Sequence, residues 1–237
     1  MKLRFLPLIP ALILPLLSAG CGSDEDNVDS HQGQAGSAGT GGEVAKTTFF
    51  VTSDTSSSAN LGGLRGADAR CQRLADAAGL GAFTFHAYLS AEQDPDDESK
   101  TVNARDRIGT GPWHNSKGVL LAADLDALHE LSGDANLFLD EQGNQVNGQW
   151  QDSPMPNEHD ILTGTAADGT LLEGKTCADW TSEAEDLTAQ VGHTDGLGPS
   201  MNPAPPYNSW NSVHESESCA DTAPRGGAGK LYCFAID

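Results

Sequence analysis

Basic side chains are scarce in this chain of 237 residues: 13 lysines and arginines accompany 34 aspartates and glutamates, and the formal net charge is −21. Nucleic-acid binding needs clustered lysines and arginines that neutralise phosphates, so we expect no nucleic-acid partner. The acids are spread along the chain in pairs such as Asp96 and Asp97, which is typical of solvated loops. The excess acid therefore favours solubility outside the cell, and a site for a hard cation such as calcium is the sharper alternative.

Long apolar runs are scarce as well. The longest, residues 5–17, is interrupted by three prolines and is shorter than the roughly 20 residues that a membrane-spanning helix needs. Two basic residues, Lys2 and Arg4, precede this run, and the small residues 18–20 follow it. Basic, apolar and small segments in this order predict a signal peptide over residues 1–20.

A cysteine, Cys21, comes directly after the small residues, and this arrangement resembles the lipobox of bacterial lipoproteins. The resemblance implies that Cys21 is diacylated through its sulfur and becomes the new amino terminus. Ser18 departs from the pattern, which usually has leucine at that place, and here Leu17 lies one place further out. Cleavage by an ordinary signal peptidase after Ala19 or Gly20 is the alternative.

The residue after the cysteine is Gly22, which by the same resemblance favours the outer membrane, with the protein facing the periplasm or the cell exterior. Two or more acyl chains suffice for stable membrane attachment. Residues 22–46 are rich in Gly, Ser, Asp, Asn and Gln and cannot bury a core. We therefore interpret residues 21–46 as a lipidated cysteine and a flexible tether of roughly 25 to 30 Å, and residues 47–237 as the folded domain.

Four cysteines are left once Cys21 is assigned to lipid: Cys71, Cys177, Cys219 and Cys233. An exported chain enters an oxidising compartment, so an even number of cysteines predicts two disulfides. Spacing alone leaves three pairings open. A metal site made from these cysteines is disfavoured because no two of them have close ligand spacing.

Hydrophobic periodicity predicts an α+β domain. Residues 47–52 are β-branched and aromatic like a buried strand, and residues 64–78 have the apolar spacing of an amphipathic helix that Gly79 ends. Residues 83–89 alternate like a strand, and residues 120–131 fit a second helix. Later strands are predicted at residues 137–139, 161–165, 177–181, 208–213 and 231–236. We expect two early helices on an antiparallel sheet, followed by long late loops.

Several short segments of the sequence occur together in one known group of proteins. These segments are residues 50–53, 60–64, 66–71, 87–90, 162–165, 168–170, 177–182 and 232–234. In this order they are similar to bacterial secreted domains with the endostatin and C-type-lectin-like fold. The similarity extends over roughly residues 46–237.

The resemblance implies two specific disulfides, one between Cys71 and Cys233 and the other between Cys177 and Cys219. In the loop-entropy model, bridges closing loops of about 163 and 43 residues would remove roughly 5 and 4 kcal/mol of denatured-state entropy. The resemblance also implies a non-catalytic binding module that recognises a glycan, an envelope component or another cell-surface protein. Its late loops, around residues 179–212, would carry the ligand.

Calcium-dependent lectins of this fold use a Glu-Pro-Asn type loop and a Trp-Asn-Asp strand, because calcium needs six to eight oxygen ligands. Residues 155–158 lack the acid before proline, and residues 210–212 have serine where the second carboxylate belongs. Only four residues carry over to a calcium site: Asn157, Glu158, Asp160 and Asn211. The alternative is that these side chains cap loops without a metal, and no other cofactor is expected.

Tryptophan side chains are the second source of ligand candidates, because an aromatic face packs well on the apolar side of a sugar ring. Trp180, three residues after Cys177, is expected in the core. Trp113 and Trp210 lie among Pro, Asn and His residues, so they are candidates for exposure. Trp210 is the better ligand candidate, together with Asn211, Asn157 and Glu158.

Catalytic motifs are missing: the histidines never form His-Glu-x-x-His, and no Gly-x-Ser-x-Gly elbow occurs. Glu158, His159 and Asp160 place an acid, a base and a ligand side by side, but adjacent side chains seldom converge on one atom. We therefore predict that the chain is not an enzyme. A structural envelope protein without a small ligand is the first alternative, and a metal-dependent hydrolase is the lesser one.

Overall fold

The computed structural model describes residues 46–237, which lie within one unit, Glu43–Asp237. The predicted signal peptide, the Cys21 anchor and the tether up to residue 45 lie outside the described residues. Within the described part of the chain, no helix is long and apolar enough to cross a membrane.

The described chain forms short strands and few helices. The strands are β1 (Phe49–Val51), β2 (Phe85–Ala87), β3 (Trp113–His114), β4 (Leu120–Ala122), β5 (Asp160–Leu162), β6 (Gln190–His193), β7 (His214–Glu215), β8 (Gly227–Lys230) and β9 (Tyr232–Ala235). The helices are α1 (Gly63–Ala77), α2 (Leu125–His129) and α3 (Cys177–Trp180), with 3₁₀ turns at Ala104–Asp106, Pro199–Met201 and Ala223–Arg225. Few helices, mainly antiparallel pairing and two disulfides confirm the α+β class.

These strands form three sheets. In the first, β9 lies between β1 and β2 and is antiparallel to both. The strands β3 and β4 pair with each other, and the third sheet has the order β7-β6-β5-β8. Only the β5 and β8 pair in that sheet is parallel. The first sheet therefore joins the beginning of the domain to its end.

Alternation along β1 and β9 separates two apolar clusters. Phe50 and Cys233 point into a cluster under α1, whereas Phe49, Tyr232 and Phe234 point to the opposite side of the sheet. Successive side chains of a strand face opposite ways, so a strand that is buried on both faces must be apolar at every position. This explains the unbroken apolar run at the start of the domain.

The helix α1 follows the predicted pattern closely. Its buried side chains are Leu64, Ala67, Cys71, Leu74 and Ala75. Gly62 and Gly63 precede and begin the helix with φ of 76° and 74°, a backbone region that favours glycine. Cys71 lies on the buried face and is bonded to Cys233 in β9.

The two disulfides are Cys71–Cys233 and Cys177–Cys219, the pairing expected from the resemblance. All four cysteines are buried. The first bridge fastens α1 to the central strand of the first sheet, and the second fastens α3 to the loop after β7.

The predicted second helix over residues 120–131 is wrong in its first half. Residues Leu120–Ala122 form β4, and the helix begins only at Leu125. The carboxylate of Asp124 accepts a hydrogen bond from the backbone N–H of Ala127 at 2.9 Å, which caps the helix at that point. The apolar spacing was compatible with both structures, and the capping residue determines where the helix begins.

The predicted strand over residues 177–181 is also wrong. Its residues form the single turn α3, in which Cys177, Ala178, Asp179 and Trp180 all have φ between 50° and 65°. Left-handed backbone is costly for residues other than glycine, so tertiary contacts must hold this turn. The disulfide to Cys219 and the buried Trp180 ring, whose Nε1 donates to the Ser90 carbonyl at 2.8 Å, provide them.

Two predicted strands are absent from the described structure, and a third is confirmed. Residues 137–139 make only an isolated bridge from Leu139 to Gln145, and residues 208–213 form turns that end just before β7. The run 231–236 is β9, whereas the neighbouring glycine-rich β8 was missed. Glycine-rich strands lack the side-chain pattern on which the strand predictions depended.

Candidate functional site

The third sheet brings together histidine and aspartate side chains that are far apart in the sequence. In the antiparallel β5 and β6 pair, Asp160 lies opposite His193, and His214 of β7 lies opposite Val191 of β6. Side chains two residues apart along a strand share a face, so Asp160, His193 and His214 project to the same side. His159, next to Asp160, joins them, and we call these four residues the histidine cluster.

Close packing behind the sheet depends on Gly192. A Cβ atom at this position would collide with the backbone of Trp210 and Asn211. The segment before β7 can therefore lie directly against β6, where the backbone N–H of His193 donates to the Ser209 carbonyl at 3.1 Å. This close approach fixes the backbone on which His193 is carried.

The atoms of the histidine cluster converge within a few ångströms. The Nε2 atoms of His193 and His214 are 3.1 Å apart. The Nε2 atom of His193 lies 3.2 Å from Oδ1 of Asp160, and that of His214 lies 3.8 Å from its Oδ2. The Nε2 atom of His159 lies 3.3 Å from Oδ1 of Asp160. Three imidazoles therefore direct the same ring nitrogen at one carboxylate.

The other nitrogen of each ring is engaged elsewhere. Nδ1 of His193 lies 3.1 Å from the Tyr207 carbonyl, and Nδ1 of His214 lies 3.0 Å from the Glu215 carbonyl. Nδ1 of His159 lies 2.8 Å from the Asp195 carboxylate. Each of these oxygens can only accept, so each Nδ1 carries the proton. In the neutral rings, every Nε2 then presents a lone pair to Asp160.

The carboxylate of Asp160 is the least satisfied group of the cluster. Its side chain is 2% exposed, and neither of its oxygens accepts a hydrogen bond from any described residue. Burying a carboxylate without a donor or a cation is costly. The cluster therefore needs positive charge, supplied either by protons on the rings or by a bound cation.

The neighbouring carboxylate, Asp195, is well satisfied. Burial opposes its ionisation, but the His159 ring and the backbone N–H groups of Gln149 and Leu197 outweigh burial and lower the pKa of Asp195. Asp195 is therefore an anion that orients His159. The rings of His159 and His193 stack with centroids 4.1 Å apart, which extends this ordering to His193.

One side of the histidine cluster opens into a pocket of about 420 Å³. The rings of His159, His193 and His214 line it, and Tyr207 and Arg225 lie at its wall. The Tyr207 ring is nearly parallel to the His193 ring, at a centroid distance of 6.3 Å. His214, with a side chain that is 28% exposed, is therefore the most accessible of the three rings, whereas His159, His193 and Asp160 are each 3% exposed or less.

The four residues proposed as calcium ligands have different partners in the structure. Asn211 is buried, and its amide group donates to the Tyr88 hydroxyl at 3.0 Å. The carboxylate of Glu158 lies 3.4 Å from Nζ of Lys230, and Asn157 accepts from the His159 backbone. Asp160 faces imidazole nitrogens, which are poor ligands for calcium. The calcium set is therefore not assembled around a common oxygen cage.

Trp113 and Trp210 were the two candidates for exposure, and the structure buries both. Trp210 is 1% exposed, and its Nε1 donates to the Leu128 carbonyl at 2.9 Å. Trp113 and Trp180 are also buried. Only Trp150 among the four tryptophans is partly exposed.

A second opening surrounds Trp150, and we call it the tryptophan cleft. Nε1 of Trp150 donates to the Val146 carbonyl at 2.9 Å, which fixes the indole ring. The cleft has a volume of about 590 Å³. Its polar lining consists of Lys117, Asn136, Asn144, Gln145 and Asn147.

Sequence reasoning noticed His159 and Asp160 but did not connect them with His193 and His214. Residues of a short metal or catalytic motif lie on one turn or one helix face, whereas here only His159 and Asp160 are neighbours, and His193 and His214 lie on two other strands. The register of the paired strands brings the histidine cluster together, and a short sequence motif cannot reveal this register. Comparison of the sequence with protein-family models gives no match, and comparison with curated proteins gives none either.

Proposed function

We propose that this chain is an extracytoplasmic lipoprotein, anchored through Cys21 in the outer membrane, whose folded domain is a non-catalytic glycan-binding module. The ordered sequence segments support a C-type-lectin-like, endostatin-like fold for that domain. The lipobox-like segment at Cys21 supports the anchor. The acidic composition and the two disulfides fit a domain held outside the cytoplasm.

The tryptophan cleft is the observation that supports a glycan as the ligand. It combines one fixed, partly exposed indole face with amide side chains that can both donate and accept hydrogen bonds. Sugars offer an apolar ring face, which can stack on the indole, and a rim of hydroxyl groups, which can form hydrogen bonds with the amide side chains. In this proposal Trp150 takes the role that the sequence suggested for Trp210.

A glycan array tests the ligand, using the full chain purified in detergent. Wild-type protein should bind a defined set of glycans, and Trp150→Ala should weaken that binding by about tenfold or more. Trp150→Phe keeps an aromatic face and should retain most of the binding. Absence of binding to every glycan, with and without calcium, would reject the glycan ligand and leave a protein ligand or a structural role.

Lipid labelling tests the anchor separately. Cells expressing the chain should incorporate labelled fatty acid into it, and Cys21→Ser should abolish the incorporation. An unlabelled wild-type chain that is released as a soluble protein would show ordinary signal-peptidase cleavage instead.

A further inference from the structure

We propose that the histidine cluster binds one divalent first-row transition-metal ion, with Zn²⁺ the best match, through Nε2 of His193, Nε2 of His214 and the carboxylate of Asp160. This site lies outside the tryptophan cleft and does not depend on the proposed glycan ligand. His159 and Asp195 position the ligands from behind.

The spacing of the three groups is that of zinc ligands. Ligand atoms held about 2.0 to 2.1 Å from a tetrahedral Zn²⁺ ion are about 3.3 Å apart. The Nε2 atoms of His193 and His214 are 3.1 Å apart, that of His193 lies 3.2 Å from Oδ1 of Asp160, and that of His214 lies 3.8 Å from the other oxygen, Oδ2. An ion can therefore be placed among them with little movement of the backbone.

The tautomers of the rings also match metal binding. Nδ1 of His193 and of His214 is directed at a backbone carbonyl, so each Nε2 is left with a lone pair. A hydrogen bond of this kind is the usual outer partner of a metal-bound histidine, because it fixes both the ring and its tautomer. Without a cation, two lone pairs would face each other at 3.1 Å.

The strongest argument is the unpartnered carboxylate of Asp160. This side chain is 2% exposed and aimed at the two Nε2 atoms, and its oxygens accept no hydrogen bond from the described residues. A divalent cation would neutralise the carboxylate and use the lone pairs of both rings at once. Neutralisation of Asp160 by protons instead of a metal would require a second proton on rings that already carry one at Nδ1.

His159 and Asp195 serve as positioning residues. One ring nitrogen of His159 lies 2.8 Å from Asp195 and the other lies 3.3 Å from Asp160. Asp195 thus fixes the His159 ring, which stacks on the His193 ring with centroids 4.1 Å apart and so holds this ligand in place from behind. Loss of either member should weaken metal binding without abolishing it.

The donor set also selects the class of metal. Two imidazole nitrogens and one carboxylate suit zinc and its first-row neighbours, whereas calcium and magnesium prefer oxygen ligands throughout. Three protein ligands leave a coordination position open, and both histidine ligands line the pocket of about 420 Å³. A water molecule or a small anionic ligand would complete the shell.

Metal titration of the full chain tests the site. Protein in detergent, made without a polyhistidine tag and treated with a chelator, should bind one equivalent of Zn²⁺ in competition with a chromogenic chelator. His214→Gln and Asp160→Asn should weaken the affinity by more than about 100-fold, and His159→Gln or Asp195→Asn by about 10- to 100-fold. The matched control His114→Gln, on β3, and the cleft variant Trp150→Ala should bind Zn²⁺ like the wild type.

A thermal melt of Asp160→Asn keeps the test decisive even where a histidine variant fails to fold. In chelator, removing the unpartnered charge should leave the melting temperature unchanged or raise it, because the amide is isosteric and neutral. Zn²⁺ should raise the melting temperature of the wild type and not that of Asp160→Asn. A wild type that Zn²⁺ does not stabilise, together with a destabilised Asp160→Asn, would overturn the proposal and identify a proton-satisfied structural network.

Discussion

The disulfide from Cys71 to Cys233 joins the middle of α1 to the central strand of the first sheet, across 162 residues of sequence. The bridge from Cys177 to Cys219 spans 42 residues. A crosslink that closes a longer loop removes more entropy from the unfolded chain. The first bridge should therefore stabilise the domain more than the second.

Replacing Cys71 and Cys233 together with serine should reduce the free energy of unfolding by about 5 kcal/mol, and replacing Cys177 and Cys219 by about 4 kcal/mol. A loss of this size is a large fraction of the stability of an ordinary domain. Urea denaturation of the wild type and both double variants measures it. Equal midpoints for the wild type and the Cys71 variant would show that the loop model does not describe this domain.

Local patterns predicted what depends on neighbouring residues, which is why α1 and the strand containing Phe49 and Phe50 were found. These patterns failed where contacts between distant residues determine the backbone conformation, as in the left-handed turn at Cys177. The histidine cluster is a second case, because the register of β5, β6 and β7 brings its members together. Exposure of tryptophan also depends on tertiary packing, so the neighbours of Trp210 in the sequence were a poor guide.

The partly buried ion pair between Asp54 and Arg70 should make stability depend on pH. Burial opposes ionisation of the Asp54 carboxyl, but the guanidinium groups of Arg70 and Arg73 outweigh burial and lower its pKa. A carboxyl with a lowered folded-state pKa stabilises the protein above its unfolded pKa, which is about 3.9, and this stability disappears as the pH falls through the folded value.

Asp54→Asn should therefore reduce the melting temperature at pH 7 and flatten its decrease between about pH 5 and pH 3. The matched control is Asp96→Asn, because the Asp96 and Arg65 side chains form an ion pair that is 81% and 67% exposed. Exposed pairs contribute little, so the control should melt like the wild type. Parallel pH profiles for the wild type and Asp54→Asn would contradict the role of Asp54.

Two exposed alanines should respond to glycine in opposite directions. Ala178 in α3 has φ of 50°, a left-handed conformation that costs alanine about 1 to 2 kcal/mol. Glycine relieves this cost but adds unfolded-chain entropy of about 0.4 to 1 kcal/mol. Ala178→Gly should therefore stabilise the domain by up to about 1 kcal/mol.

The same replacement at Ala69, inside α1, should destabilise the domain by about 1 kcal/mol. Both side chains are exposed, so neither change opens a cavity. Denaturation midpoints of the two variants provide the comparison. A destabilising Ala178→Gly would show that the turn at Cys177 does not have left-handed backbone in solution.

Fluorescence quenching can distinguish Trp150 from the three buried tryptophans. Iodide reaches only indole rings in contact with solvent, and Trp113, Trp180 and Trp210 are each 1% exposed or less. Iodide should therefore quench one component of the wild-type emission, and Trp150→Phe should remove that component. If iodide quenches Trp150→Phe as strongly as the wild type, one of Trp113, Trp180 and Trp210 is accessible and the packing around it must be looser than described. If the quenchable component disappears, glycans that bind the tryptophan cleft should protect the wild type from iodide, because a sugar stacked on Trp150 would cover the same indole face.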